Sequence, residues 1–232
     1  MLVWLASYPR SGNSLSLVTL KEAFGAPLGS DMPGADYPEW LRAPLIRDVG
    51  EARARSGPVF VKTHSRPGLD GDRAIYIVRD GRDATVSYAH FLKESQEGYA
   101  DWPLNRIARM LIRGFRAARR PRTWAESVRL WSQRPNTAVV RFEELITDPV
   151  AVIRGAAEEV GVSLPKPAGK PPDFAELHTR DPTMYRRGEP GAWREELHPQ
   201  LEEMFWEQQG KTMISLGYSR VGPQRSRVQA HH

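Results

Sequence analysis

The chain has 232 residues, 40% of them hydrophobic, which excludes a largely disordered protein and fits one domain with a substantial core. A formal charge of +5 and a pI near 9.6 point to an anionic partner, whether nucleic acid, a membrane surface or a small phosphorylated ligand. The absence of cysteine excludes disulfides, thiolate metal sites and cysteine nucleophiles, and with nothing arguing for an oxidising compartment a cytoplasmic location is expected.

Leu2 to Ala6 is a short apolar run that meets Pro9 and Arg10 almost at once. It has no basic stretch before it and is too short for a secretory leader, so it is expected to be a buried strand. Leu17, Leu20 and Phe24 follow at helical spacing up to Gly25, giving strand, loop, helix. Gly25 to Tyr37 is rich in Gly and Pro and is expected to be irregular. Pro58 to Lys62, Ala74 to Val78 and Thr137 to Phe142 are further strand candidates, while Asp83 to Lys93, Thr123 to Trp131 and Pro149 to Val160 have the character of helices.

This alternation predicts an α/β fold of three layers, α/β/α, with a central parallel sheet covered on both faces. Ser163 to Asp173 carries four prolines and is expected to be an extended connector. Leu197, Leu201, Met204 and Phe205 give a C-terminal helix one apolar face. Arg220 to His232 is polar and basic and is expected to be a disordered tail, leaving a single domain over residues 1–219. The paired His231 and His232 fit a chain terminus or tag remnant better than a metal site. No run approaches the ~18 apolar residues that span a bilayer, so no membrane partner is expected.

Ser7-Tyr8-Pro9-Arg10-Ser11-Gly12-Asn13-Ser14 lies between the first strand and the first helix, where backbone N–H groups converge on an anion. Against the nucleotide-binding pattern G-x-x-x-x-G-K-[ST], Ser7 replaces the first glycine and Asn13 the lysine, while Gly12 and Ser14 keep their places. The cation has moved to Arg10. An ordinary helix-capping turn accounts for the same segment. No strand ending in Asp stands out as a metal-binding partner of the loop, so a metal-free transfer is favoured and no metal ligand is assigned. A sulfuryl group carries less charge than a phosphoryl group, and a cation plus backbone donors suffice to stabilise its transfer.

Three separated segments resemble, in order, those of the PAPS-dependent sulfotransferases, where PAPS is 3'-phosphoadenosine-5'-phosphosulfate; the chain is most similar to small, cytosolic-type bacterial members. Ser7 to Ser14 is similar to the family's 5'-phosphosulfate loop, usually Y-P-K-S-G-T-T, with Arg10 where lysine is commoner. Val61-Lys62-Thr63-His64 resembles its K-T-H segment, and Ile75 to Tyr88 its 3'-phosphate segment, with Arg79 and Ser87 eight residues apart. Near the C-terminus, Arg186-Arg187-Gly188-Glu189-Pro190-Gly191-Ala192-Trp193 resembles R-K-G-x-x-G-x-W. Trp124 to Trp131 and Val140 to Pro149 are softer matches.

The resemblance implies a fold like the P-loop-containing nucleotide hydrolases and sulfuryl transfer from PAPS to a hydroxyl or amine of a small-molecule acceptor, with 3',5'-adenosine bisphosphate (PAP) as product. It makes His64 the general base, with Lys62 and Arg10 neutralising charge on the transferred group. Arg10, Ser11, Gly12, Asn13 and Ser14 would hold the phosphosulfate. Arg79, Ser87, Arg186, Arg187 and Gly188 would hold the 3'-phosphate. Leu15 stands where many members have tryptophan and Phe142 where tyrosine is common, which leaves the adenine contacts open. No match to the family's dimer segment is evident, so the oligomeric state is undetermined.

His90, His178 and His198 lack comparable context and are assigned structural roles. Ser95 to Arg122 would be a wall or lid over the acceptor, although an ordinary packed helix explains the same apolar residues; the arginines between Arg106 and Arg122 are consistent with an acidic acceptor but are better explained as a solvated helix face. Two rivals remain: a P-loop phosphotransferase, against which Asn13 counts, and a nonenzymatic nucleic-acid-binding protein, which no aromatic-basic motif supports.

Overall fold

The computed structural model describes residues 1–31, 41, 43–115 and 119–221. Residues 32–37 of the irregular stretch, residues 116–118 of the expected wall and the tail from residue 222, including His231 and His232, lie outside the described residues.

The chain runs β1 (Leu2–Ser7), α1 (Asn13–Phe24), β2 (Leu28–Ser30), α2 (Val49–Ala54), β3 (Val59–Thr63), β4 (Arg73–Val78), α3 (Gly81–Ser95) and α4 (Leu104–Arg113). It continues through α5 (Trp124–Ser132), β5 (Thr137–Arg141), α6 (Phe142–Leu145), α7 (Pro149–Glu159), α8 (Phe174–Arg180), α9 (Trp193–Glu196) and α10 (Pro199–Ser215). The strands pair in the order β2-β3-β1-β4-β5, every pairing parallel. β1 is central because both faces of the sheet are covered there, which an unbroken apolar run demands.

Alternation along the strands sorts the core into two layers. Val3, Leu5, Ile75, Ile77, Ala138 and Val140 pack on one face with Leu17 and Leu20 of α1 and Ile153 and Ala157 of α7. Ala74, Tyr76 and Val78 face the other way, onto α3, α4, α5 and α10 through Val86, Ile107, Trp124 and Phe205. The expected three-layer α/β/α architecture is what forms.

Local signals set the helix starts. Asp80 accepts the N–H of Arg82 ahead of α3, Thr123 that of Glu126 ahead of α5, and Asp148 that of Ala151 ahead of α7, where Pro149 opens the helix. Asp173 and Glu176 form a capping box at α8, ending the proline-rich connector. β2 is a correction to the expected irregularity of Gly25 to Tyr37. Its three residues are held from outside, by pairing with Phe60, Val61 and Lys62 of β3, so their own glycine content does not decide the outcome.

Because the sheet is parallel, the segments after β1, β3 and β4 emerge together at its carboxyl edge. The chain leaves β1 toward β2 and leaves β4 toward β5, so the order reverses between neighbouring strands, the place where such sheets form ligand crevices. The close approach of α3 to the far layer depends on Gly81, where an added Cβ would stand 2.4 Å from the Phe205 ring and 2.7 Å from Trp124. Gly81→Ala is therefore expected to destabilise the protein by about 1–3 kcal/mol through overpacking, despite alanine's better helix propensity. Denaturant unfolding measures it; a neutral or stabilising change would contradict this packing.

Candidate active site

A cleft of about 1040 Å³ opens at the carboxyl edge, and the loops after β1, β3 and β4 all line it. That volume is at the upper end for small-ligand sites and is large enough for a nucleotide beside a second molecule.

The loop after β1 makes its turn with two left-handed residues, Arg10 at φ 68° and Gly12 at φ 109°. Only Gly12 has the freedom of glycine, and an added Cβ there would stand 2.8 Å from the Phe142 ring. Arg10 is a non-glycine residue in that region, a strain characteristic of ligand-holding loops. α1 then starts with neither a side-chain cap nor an acidic residue in its first turn, so its positive end is left to whatever occupies the cleft. Ser14 lines the cleft, whereas Ser11 is fully buried with no hydrogen-bond partner for its Oγ among the described residues.

Asn13 lines the cleft, but its side-chain amide is engaged within the fold. Its Nδ2 donates back to the Leu5 carbonyl at 2.9 Å and to Ser7 Oγ at 3.2 Å. The amide occupies the place of the nucleotide-loop lysine but points into the β1–α1 junction, which removes the loop cation that a phosphotransferase would use.

That junction fixes His64. Its Nδ1 lies 2.8 Å from the Ser7 carbonyl and 3.3 Å from Ser7 Oγ. A carbonyl can only accept, so Nδ1 carries the proton and Nε2 is the basic nitrogen. Burial, and then the Lys62 charge, hold the imidazole well below the usual histidine range, so it is neutral near pH 7. Lys62 is 2% exposed and its ammonium is likewise held well below the ordinary lysine range, first by burial and then by the Arg10 and Arg120 charges. Between them, Thr63 turns away from the cleft and donates to Asp31 Oδ2 at 2.7 Å, anchoring the strand end.

Arg79 follows β4 and lies against the Phe142 ring, 4.3 Å from its centroid. Its Nη groups reach the carbonyls of Arg10 at 3.4 Å and Glu189 at 3.2 Å, while its Nε is buried without a partner among the described residues. Ser87, two turns along α3, accepts from Arg10 Nε at 3.3 Å. Arg10 thus reaches across to α3 and to the Thr183 and Met184 carbonyls. The structure brings Arg10, Arg79 and Ser87 to one wall of the cleft and His64 and Lys62 to another.

Arg186, Arg187 and Gly188 form a third wall. Arg186 donates to Glu196 at 3.0 Å and Arg187 to Glu195 at 2.8 Å, so both guanidiniums are neutralised by α9. Arg186 Nε is nevertheless buried and unpartnered among the described residues. Gly188 has φ 64°, and an added Cβ would fall 2.1 Å from the Phe174 ring, so the loop closes only with glycine there.

Sequence reasoning missed what holds this loop down. Asp83, inside the segment carrying Arg79 and Ser87, accepts the N–H of Gly191 at 2.7 Å and of Trp193 at 3.0 Å. Arg82 beside it is fully buried, pairs with Asp80 at 2.7 Å and stacks 3.7 Å from the Trp193 ring centroid. A carboxylate at the start of a helix is ordinarily taken as a dipole or cap residue, and nothing in the spacing reveals a partner 108 residues away.

His90, His178 and His198 are structural as expected: His90 contacts Glu196, His178 Nδ1 the Tyr185 carbonyl, and His198 caps α10. In the expected wall, α4 is an ordinary packed helix through Ile107, Ala108, Leu111 and Ile112, whereas Ser95, Gln96, Tyr99, Phe115 and Arg120 do line the cleft.

The depressed basicities of Lys62 and His64 make anion binding proton-coupled. An anion in the cleft favours their charged forms and raises both pKa values, so binding takes up protons. Affinity therefore strengthens as pH falls toward the ordinary histidine value of ~6.5. Calorimetric titration with pyrophosphate in buffers of different ionisation enthalpy measures this; proton release, or affinity that weakens as pH falls from 8.5 to ~6.5, would contradict it.

The sequence matches the family described as Sulfotransferase domain over residues 2–217. No curated protein sequence matches the chain. Among solved structures, the mouse sulfotransferase SULT7A1 complexed with PAP is similar at TM-score 0.62 and 16% identity, covering 94% of this chain and 89% of that one. Retinol dehydratase in complex with androsterone and inactive cofactor PAP is similar at TM-score 0.60 and 18% identity, covering 91% and 80%. A sulfotransferase from Alicyclobacillus acidocaldarius reaches TM-score 0.50 at 15% identity, covering 94% and 96%. At these identities the structures speak for the fold, while the family match runs from β1 past the end of α10 and takes in all three walls of the cleft, and on that match the chain belongs to the sulfotransferase family.

Proposed function

We propose that the chain transfers the sulfuryl group of PAPS to a hydroxyl or amine of a small-molecule acceptor, with His64 as general base. The observation that carries this is the Nδ1–H to Ser7 carbonyl bond, which leaves a neutral imidazole with Nε2 basic beside a buried lysine. The donor fits the cleft by its orphaned donors. Arg79 Nε and Arg186 Nε are buried without partners among the described residues, on the two walls the family uses for a 3'-phosphate. Similar structures contain PAP, and one also contains androsterone.

Bound there, the donor supplies a sulfuryl group attached to a phosphate that departs as an anion. His64 Nε2 takes the proton of the acceptor as its oxygen or nitrogen attacks sulfur. Lys62, charged once an anion is present, and the free N–H groups at the start of α1 stabilise the negative charge that grows on the departing oxygen. Arg79, Ser87 and Arg186 hold the far end of the nucleotide, with Arg187 in reach once it exchanges Glu195 for phosphate. The proposal takes residues 1–219 as one catalytic unit, supported by the packing of α10 onto the same sheet face as α3. It keeps the enzyme cytoplasmic, since a chain without cysteine needs no oxidising compartment. No described helix is long and apolar enough to cross a membrane.

The test is transfer from sulfur-labelled PAPS to a panel of phenols, alcohols and amines. His64→Ala is expected to lower turnover about 10²–10⁴-fold while leaving PAP affinity within a factor of about two. Undiminished turnover in that variant would remove His64 from the mechanism.

A further inference from the structure

The cleft is lined by a cation, Arg120, to which the donor assignment above gives no role. Arg120 is half-buried, lines the cleft, and donates from Nη1 to the Tyr88 hydroxyl at 3.0 Å. Two backbone bonds fix its position. The Arg66 N–H donates to the Arg119 carbonyl at 2.8 Å, tying this segment to the stretch just after His64, and the Phe115 N–H donates to the Arg122 carbonyl at 2.9 Å, closing the loop at its base. The Arg120 charge reaches both Lys62 and His64 and helps to lower the basicity of each.

The surroundings are apolar and aromatic, not acidic. Tyr88 packs edge-on to Tyr8 with centroids 5.9 Å apart and lies 6.5 Å from Phe91. Leu92, Tyr99 and Phe115 continue the same wall. Of the acidic residues that line the cleft, Asp83 on α3 is held by the N–H groups of Gly191 and Trp193, and Asp148, Asp173, Asp181 and Glu189 come from other segments; Arg120 makes no ion pair among the described residues. A guanidinium whose partner is a neutral phenol, set in an aromatic wall beside the base, is a selector for a planar anion.

Resting on the sulfotransferase reading above, we propose that the acceptor class is an aromatic or other apolar alcohol that carries its own carboxylate or similar anionic group, which Arg120 pairs with while the hydroxyl reaches His64. Arg120 is then a specificity-determining residue. Neutral acceptors of the same shape leave the guanidinium desolvated against the aromatic wall and lose by that amount.

The probes are hydroxyphenylpropionate and its neutral amide, titrated into the protein saturated with PAP, so that the comparison needs no turnover. The carboxylate is expected to bind about tenfold or more tighter than the amide. Arg120→Gln should bring the ratio to about one and Arg120→Lys should keep part of it, both with PAP binding retained, which also verifies folding. Equal binding of the two probes, binding of neither, or an unchanged ratio in Arg120→Gln overturns the acceptor proposal while PAP binding leaves the donor reading intact. A loss of PAP affinity in Arg120→Gln overturns it too, by moving Arg120 to the donor. Absence of PAP binding to the unaltered protein overturns the donor reading and, with it, this proposal.

Discussion

Positive charge concentrated at the carboxyl edge of a parallel sheet is the constraint on which the rest of the structure depends. Lys62 is buried there with Arg10 and Arg120 in electrostatic reach, and burial together with the neighbouring charges holds the basicities of Lys62 and His64 well below their ordinary values. An anion that enters meets groups whose charged forms burial disfavours, so its binding is coupled to their protonation. The same depression gives His64 the protonation state that a general base requires. Binding and catalysis thus draw on one electrostatic imbalance.

The opposite arrangement governs the loop over the cleft. Arg186 and Arg187 are already ion-paired with Glu195 and Glu196, although Arg186 Nε is left without a partner among the described residues, and Glu196 is shared with His90 on α3. The loop backbone is held by Asp83, on the same helix as Ser87. α3 therefore carries a ligand contact on one turn and the loop's anchors on others. A phosphate that displaces a glutamate from either arginine does so at a place where the backbone is already fixed, which limits the ordering cost of binding.

The elements with strong local signals were legible in the sequence: the apolar runs of β1, β3 and β4, and the capped helices α3, α5 and α7. β2 was not, because three residues rich in neither apolar nor β-branched side chains become a strand only through β3. At the site, position was legible and direction was not. The strand-loop-helix order places Asn13 in a phosphate loop, yet its amide bonds to Leu5 and Ser7 and serves to brace the residue that orients His64. Arg10 was expected to hold the phosphosulfate, and its bonds to residues 87, 183 and 184 were not foreseen. The arginines between Arg106 and Arg122 offered an acidic-acceptor reading beside a solvated face, without singling out Arg120; the bond between residues 66 and 119 that ties its segment down is tertiary, and no periodicity encodes it.

The central claim is that this edge recognises a nucleotide by a 3'-phosphate remote from the reacting end. Calorimetry without magnesium, comparing PAP with 5'-AMP, isolates that group because the ligands differ in nothing else. The account predicts binding at least about tenfold, or ~1.4 kcal/mol, tighter for PAP, with the difference lost in Arg79→Ala. Equal affinities, or a preference that survives that substitution, would contradict it.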